Sequence, residues 1–202
     1  RAAEVLAGDR FFPALKPVGT KRAHLAYHFN HGSVSAVDLL YRLAFAAAQP
    51  EILVQNPYLA PDPEVLELIG RPPDRGVQVW IMLPGEVTDS QIVRHAGHHH
   101  FGTLLERGVR IFEFGRTLSH QKVMIVDGEW SQIGSTNLDN RSFESNDEVS
   151  LGVFDREIAD ELKAAFEEDL KSAVEIRLED WKARPLGHKL RDAASYRLNE
   201  FL

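Results

Sequence analysis

Six residues between positions 120 and 137 combine side chains suited to handling a phosphate group. His120, Lys122, Asp127, Gly134, Ser135 and Asn137 fall in the spacing H-x-K-x4-D-x6-G-S-x-N. At average residue usage, six fixed positions recur by chance on the order of once in a hundred million start points. An imidazole can act as nucleophile or proton carrier, and an ammonium supplies charge. On a strand, His120 and Lys122 share one face about 7 Å apart, so both can address one phosphate. Asp127 falls on the other face, which gives it an orienting, structural role within the catalytic set. Val123 to Val126 is an apolar run ending at Asp127-Gly128, a hairpin signal. The return strand, Trp130 to Ile133, brings Gly134, Ser135 and Asn137 back beside the histidine. A glycine turn opening a short helix at 137–139 would offer backbone N–H groups to an anion. The Ser135 hydroxyl and the Asn137 amide would hold the non-reacting oxygens.

Residues 146–154 alternate, with Val149, Leu151 and Val153 on one face and Glu148, Ser150 and Gly152 on the other. A carboxylate at such a place on an inner strand needs a partner.

The six-residue pattern resembles the HKD signature of the phospholipase D superfamily, whose members transfer phosphoryl groups through a phosphohistidine. In that superfamily a Glu at this offset hydrogen-bonds the catalytic histidine, so the resemblance makes Glu148 the residue that fixes its tautomer. The resemblance covers roughly residues 24–185. It includes the loop Asn56-Pro57-Tyr58-Leu59-Ala60-Pro61-Asp62, the run Asn137-Leu138-Asp139-Asn140-Arg141-Ser142-Phe143, and Asp180-Trp181-x-x-Arg184-Pro185. These stretches look like the carboxyl-terminal half of a cardiolipin-synthase-type enzyme, more than like the small single-motif nucleases.

That resemblance implies a layered α/β/α sandwich around a mixed β-sheet. It implies a phosphatidyltransferase acting on a phospholipid such as phosphatidylglycerol and an alcohol acceptor, with no metal or organic cofactor. A phospholipase D or phosphodiesterase hydrolase, including a homodimeric nuclease, would use the same residues with water as acceptor. A non-catalytic scaffold half is the reading from another class. The chain contains no second H-x-K. In-line transfer needs a nucleophile on one side of phosphorus and a proton donor on the other, and one imidazole cannot be both at once. The chain is therefore expected to be half of an active site, completed by an absent N-terminal repeat or by a homodimer partner. In the first case the resemblance makes His120 the general acid/base and the partner histidine the nucleophile.

The elements that must position these residues follow from periodicity. Strands are expected at 24–27, 51–55, 77–83 and 109–114. A helix capped by Ser33 or Ser35 runs to Gln49, and another begins at Pro63 and breaks at Arg71-Pro72-Pro73. A third spans 91–107, weakened by Gly97 and Gly102. A last one carries Ile158, Leu162, Ala165, Phe166 and Leu170 on one face. Alternation of strands and helices marks an α/β sheet. Residues 1–23 read as a linker or arm, 24–172 as the HKD domain, and 173–202 as a helical tail. The tail, with Trp181, Leu186, Leu190 and Tyr196 among mixed charges, is expected to pack on the domain or on the missing half. Peripheral membrane contact is its second reading.

His95, His98, His99 and His100 have the spacing of one helix face, which invites a metal. No carboxylate nearby in sequence completes such a site, and the matching region of the family is a solvent-facing helix. His28 and His31 read as turn residues. At 202 residues one core is the default, and 44% hydrophobic with 26% charged residues is ordinary for a globular domain. The net charge of −7 argues against a nucleic-acid binder. No apolar run reaches membrane-spanning length. Zero cysteines exclude disulfides and thiolate metal sites. Arg1 in first place suggests a fragment or processed product, and no signal-peptide pattern follows it. The expected location is cytoplasmic, with a peripheral position on the inner membrane face as its extension.

Overall fold

A computed structural model describes residues 8–9, 11–16, 18–29 and 35–199. β1 (Arg22–His28) leads to α1 (Ala36–Ala47), β2 (Glu51–Gln55), β3 (Leu59–Ala60) and α2 (Pro63–Asp74). β4 (Gln78–Pro84), α3 (Gln91–Glu106) and β5 (Arg110–Phe114) follow, then the hairpin β6 (Val123–Val126) and β7 (Trp130–Gly134). β8 (Leu138–Asp139), α4 (Asn140–Glu144), β9 (Glu148–Phe154), α5 (Arg156–Leu170), β10 (Ala173–Ile176), α6 (Leu178–Ala183) and α7 (Leu186–Asn199) complete the chain. His31 and Ser33, with most of the first seventeen positions, lie outside the described residues.

Eight strands form one mixed sheet in the order β1-β9-β7-β6-β2-β4-β5-β10, with β2, β4 and β5 parallel and the other pairs antiparallel. β3 and β8 pair in parallel as a separate ribbon. Alternation along β2 and β4 sends Ile52, Val54, Val79 and Ile81 into one core with Phe45, Ile69 and Leu104 from α1, α2 and α3. The opposite face sends Leu53 and Met82 into a second core with Ala159 and Phe166 of α5. The architecture is the expected α/β/α sandwich, although on α5 it is Ala159, and not Ala165, that meets the sheet. Side-chain oxygens of Ser35, Asp62, Ser90, Asp139 and Asp155 cap α1, α2, α3, α4 and α5. Among the described residues no helix is long and apolar enough to cross a membrane.

Three expectations about elements need correction. The tail expected to be helical from 173 opens as β10, the edge strand paired with β5, and turns helical only at Leu178. α2 runs through Pro72 and Pro73 to Asp74. The ring fixes φ at a helical value, so the helix continues although each proline forfeits one bond to the carbonyl four residues back. The helix instead ends at Gly76 (φ +81), where Val77 N–H donates to the Pro72 carbonyl and Gly76 N–H to that of Pro73. α3 ends identically at Gly108, through Val109 to Leu104 and Gly108 to Leu105. The helix expected directly at Asn137 begins only at Asn140, because Leu138 and Asp139 pair with Leu59 and Ala60 as strand.

Candidate active site

The loops leaving the carboxyl ends of β2 and β4 meet the segment that enters β6. Lys122 is buried, and its Nζ lies 2.9 Å from His120 Nδ1 and donates to the His120 carbonyl oxygen at 3.0 Å. An ammonium only donates, so Nδ1 accepts, and the neutral imidazole keeps its proton on Nε2. Nε2 faces Asp89 Oδ2 at 3.3 Å. The Tyr58 hydroxyl donates to the same oxygen at 2.6 Å, and its ring stands edge-on to His120. His120 is thus held by an ammonium on one nitrogen and a carboxylate on the other, and the imidazole remains half-exposed.

Burial holds the Lys122 ammonium below its ordinary pKa, against the opposing pull of Glu148, Asp89 and Asp139. Burial, together with the bond to Asp89, pushes the Tyr58 phenol up to about 12. It therefore stays a donor at neutral pH. Burial works to raise Asp89, but the Tyr58 hydroxyl and the facing His120 imidazole hold it below the usual carboxylate range. Asp139 moves the other way, raised chiefly by burial.

The other signature residues take places different from a simple phosphate cradle. Gly134 is needed for packing, since a Cβ there would collide with the Val149 carbonyl and Ser150 of β9. Its N–H donates to the Lys122 carbonyl at 3.2 Å, and Ser135 N–H donates to that of Val149 at 2.9 Å. Asn137 N–H is taken by Ser142 Oγ, Leu138 N–H by Asn56 Oδ1, and Ser142 N–H by the Asp139 cap. The backbone donors expected to receive an anion are therefore already paired. Of the side chains, Ser135 is exposed but donates its hydroxyl to Glu148, and Asn137 Oδ1, an acceptor, is buried without a partner.

Glu148 points inward from β9 and receives a short hydrogen bond from Ser135 Oγ, with Asn146 Nδ2 at 3.5 Å. Within this chain its bonds do not run to His120, whose tautomer is set by Lys122 and Asp89. Asp127 sits at the opposite end of β6, at φ +58 in the hairpin turn, and accepts from Gln49 and Glu51 N–H. It fastens the hairpin to the start of β2 and does not touch the imidazole.

Three residues that carry the site were not singled out from sequence. Asp89 lies in Thr88-Asp89-Ser90 just before α3, and the available signal was a polar loop leaving a parallel strand at its carboxyl end. Asn56, almost wholly buried, accepts from Tyr58 and Leu138 N–H through Oδ1 and donates to the Thr136 carbonyl. Gln132 donates to Tyr41 and Ser150 behind the signature. The histidines of α3 were misplaced: His95, His98 and His100 are buried under α7, not solvent-facing. Asp192 of α7 adds the carboxylate that sequence proximity did not offer.

Residues 41–170 match the family described as cardiolipin synthase, PLD-like domain. A cardiolipin synthase from a Geobacillus species is 37% identical over 163 residues, 81% of this chain and 32% of that protein. One from Staphylococcus aureus is 31% identical over 194 residues, 96% of this chain and 39% of that protein. The chain thus spans about a third to two fifths of the length of these curated relatives. Among solved structures, the phospholipase D family member Nuc from Salmonella typhimurium superposes with TM-score 0.66 at 18% identity, covering 78% of this chain and 99% of Nuc. The phosphatidylserine synthase of Haemophilus influenzae gives TM-score 0.66 at 13% identity, covering 89% of this chain and 45% of that one. With the paired His120 and Lys122 on a fold of this kind, the chain belongs to the phospholipase D superfamily, in the PLD-like domain family of the cardiolipin synthases.

Proposed function

We propose that this chain is one catalytic half of a cardiolipin-synthase-type phosphatidyltransferase. The observation that carries the reading is His120 itself, with Nδ1 bound by Lys122 and a proton on the half-exposed Nε2. In that tautomer Nε2 carries a proton and has no lone pair, so it is a proton donor, not a nucleophile. A histidine of a second HKD half attacks phosphorus, and the bond to the departing alcohol oxygen breaks as His120 Nε2–H protonates it while Nδ1 takes a proton from the Lys122 ammonium. In the return step the acceptor alcohol gives its proton to Nε2 as Nδ1 hands one back to Lys122, the alcohol oxygen attacks phosphorus, and the P–N bond breaks. Phosphatidylglycerol as both donor and acceptor yields cardiolipin and glycerol. Lys122 holds the acid in register and places positive charge beside the phosphate, with the Ser135 and Asn137 side chains beside it.

The need for a second half draws support from the sheet surface beside the site. Leu25, Tyr27, Ile133, Val149 and Leu151 are 61, 54, 41, 45 and 40% exposed. Their register (Leu25↔Leu151↔Ile133 and Tyr27↔Val149) makes them one apolar patch across β1, β9 and β7. The test is product analysis of the complete enzyme on phosphatidylglycerol vesicles. Cardiolipin should form, and His120→Ala should abolish it. Phosphatidic acid as the sole product, with water as acceptor, would replace the transferase by a hydrolase, and cleavage of DNA would make it a nuclease. Activity of the 202-residue chain that rises with protein concentration would identify the second half as another copy. An inactive monomer would place that half on a longer chain.

A further inference from the structure

The contact between α3 and α7 is polar where packed helices are ordinarily apolar. α7 leaves Leu186, Leu190 and Leu198 exposed and buries Asp192 and Ser195. Across from them lie His95 and His98, one helical turn apart on α3. Asp192 is only 2% exposed, yet its Oδ1 has no hydrogen-bond partner, and neither has His95 Nδ1. These two atoms are 3.3 Å apart, and His98 Nδ1 is 3.5 Å from the same Oδ1. Arg184 holds the second carboxylate oxygen at 3.4 Å, and the half-exposed Arg191 stands 3.9 Å from Oδ1.

His98 decides what fits between them. Its Nε2 meets Glu113 Oε1 at 2.8 Å, and Glu113 is itself clamped by two bonds from Arg94. A carboxylate only accepts, so Nε2 carries the proton, and a ring with no second proton aims its Nδ1 lone pair at Asp192. Two imidazole nitrogens and one anionic oxygen then converge. A single proton can bridge one of these pairs, whereas a cation at the centre serves all three. Tetrahedral zinc, with bonds of 2.0–2.2 Å, sets its ligands roughly 3.3–3.5 Å apart.

We propose that His95 Nδ1, His98 Nδ1 and Asp192 Oδ1 bind a divalent transition-metal cation, Zn²⁺ foremost. Glu113 orients His98 from behind, as the outer carboxylate of many metal-bound histidines does. A cleft of about 650 Å³, which these residues line with His188, leaves room for water as the fourth ligand. The ion is structural. It pins the tail helix to α3, whose opposite side packs at Gly97 against the Leu59 carbonyl, next to Tyr58.

The test is titration of the chelator-stripped 202-residue chain with Co²⁺, followed by displacement with Zn²⁺. A single equivalent should give the visible absorption of tetrahedral Co²⁺, and Zn²⁺ should abolish it and raise the melting temperature. Asp192→Asn and His98→Gln should lose the spectrum, Glu113→Gln should weaken binding about 10–100-fold, and the exposed neighbour variant His99→Gln should keep it. Circular dichroism checks that each variant is folded, and the wild-type titration decides the matter without them. No Co²⁺ absorption by the wild type, or a spectrum that survives Asp192→Asn, overturns the proposal and leaves a protonated His98 bridging the two carboxylates.

Discussion

Replacing Asn56 by Ala removes the residue that joins the two loops of the site, and its cost can be worked from the partners it abandons. Oδ1 accepts from Leu138 N–H and Tyr58 N–H, each at 3.2 Å, and Nδ2 donates to the Thr136 carbonyl at 3.1 Å. Leu138 is fully buried, so its N–H is left unsatisfied and costs about 1–3 kcal/mol. The Thr136 carbonyl keeps only the long bond from Tyr41 at 3.5 Å, and its loss adds about 1 kcal/mol. Tyr58 N–H, in a half-buried residue, can turn to water and adds little. The sum is about 3 kcal/mol. For a domain of this size that lowers the melting temperature by roughly 6–12 °C. The assay is urea denaturation beside a thermal melt, with Tyr58→Phe as control. Tyr58→Phe removes only a partly solvated bond to Asp89 and should cost about 1 kcal/mol or less. A loss below about 1 kcal/mol for Asn56→Ala, or equal losses for both variants, would refute the claim that Asn56 holds the site together.

Lys122→Met should lower turnover of the complete enzyme about 10²–10³-fold, the scale for one charge-stabilising donor, without destabilising the fold. Product formation and melting temperature, measured together, check it. Gly97→Ala should destabilise by about 2 kcal/mol, because a Cβ there would lie 2.7 Å from the Leu59 carbonyl. Gly102→Ala, whose Cβ would meet Trp181 at an ordinary 3.7 Å, should stabilise by up to about 1 kcal/mol in the same urea titration. His100 is buried and its pKa is lowered by that burial to about 4, against 6.5 for a free imidazole. Between those values the unfolded chain binds a proton that the folded chain refuses, so stability falls as pH drops from about 6.5 to 4, by about 3 kcal/mol. The difference in unfolding free energy between wild type and His100→Leu isolates this slope from the opposite one expected of His98, which its carboxylate partners raise against burial.

The elements were legible where their causes are local. Val123 to Val126 with Asp127-Gly128 reads as a hairpin because β-branching and positive φ are properties of single residues and their neighbours. Periodicity likewise yields α1, β2, β4, α3 and β5 to within a few residues. Reading failed where a local rule met a compensation. Pro72 and Pro73 stop most helices, but here Gly76 closes the turn that they leave open. Gly97 looks like a weak point in α3 by propensity alone, whereas its missing Cβ is what lets the helix reach β3.

The site divides in the same way. His120 and Lys122 were readable because two positions along one extended segment share a face, and their contact depends on nothing else. The partner of Nε2 is Asp89, which is separated from His120 by α3 and β5 and arrives only because β4 and β2 run parallel and end together. A carboxylate that accepts from Tyr58 and faces His120 has no sequence signature of its own, since the spacing that defines it is measured through space. The resemblance assigned the orienting task to Glu148, but the register of β9 against β7 turns that side chain to Ser135. An imidazole whose two nitrogens are already matched to an ammonium and a carboxylate of its own chain needs no further residue to choose its tautomer. On the proposed reading, the part that the sequence lacks, a second H-x-K histidine, is carried on a surface that covers Leu25, Tyr27, Val149 and Leu151.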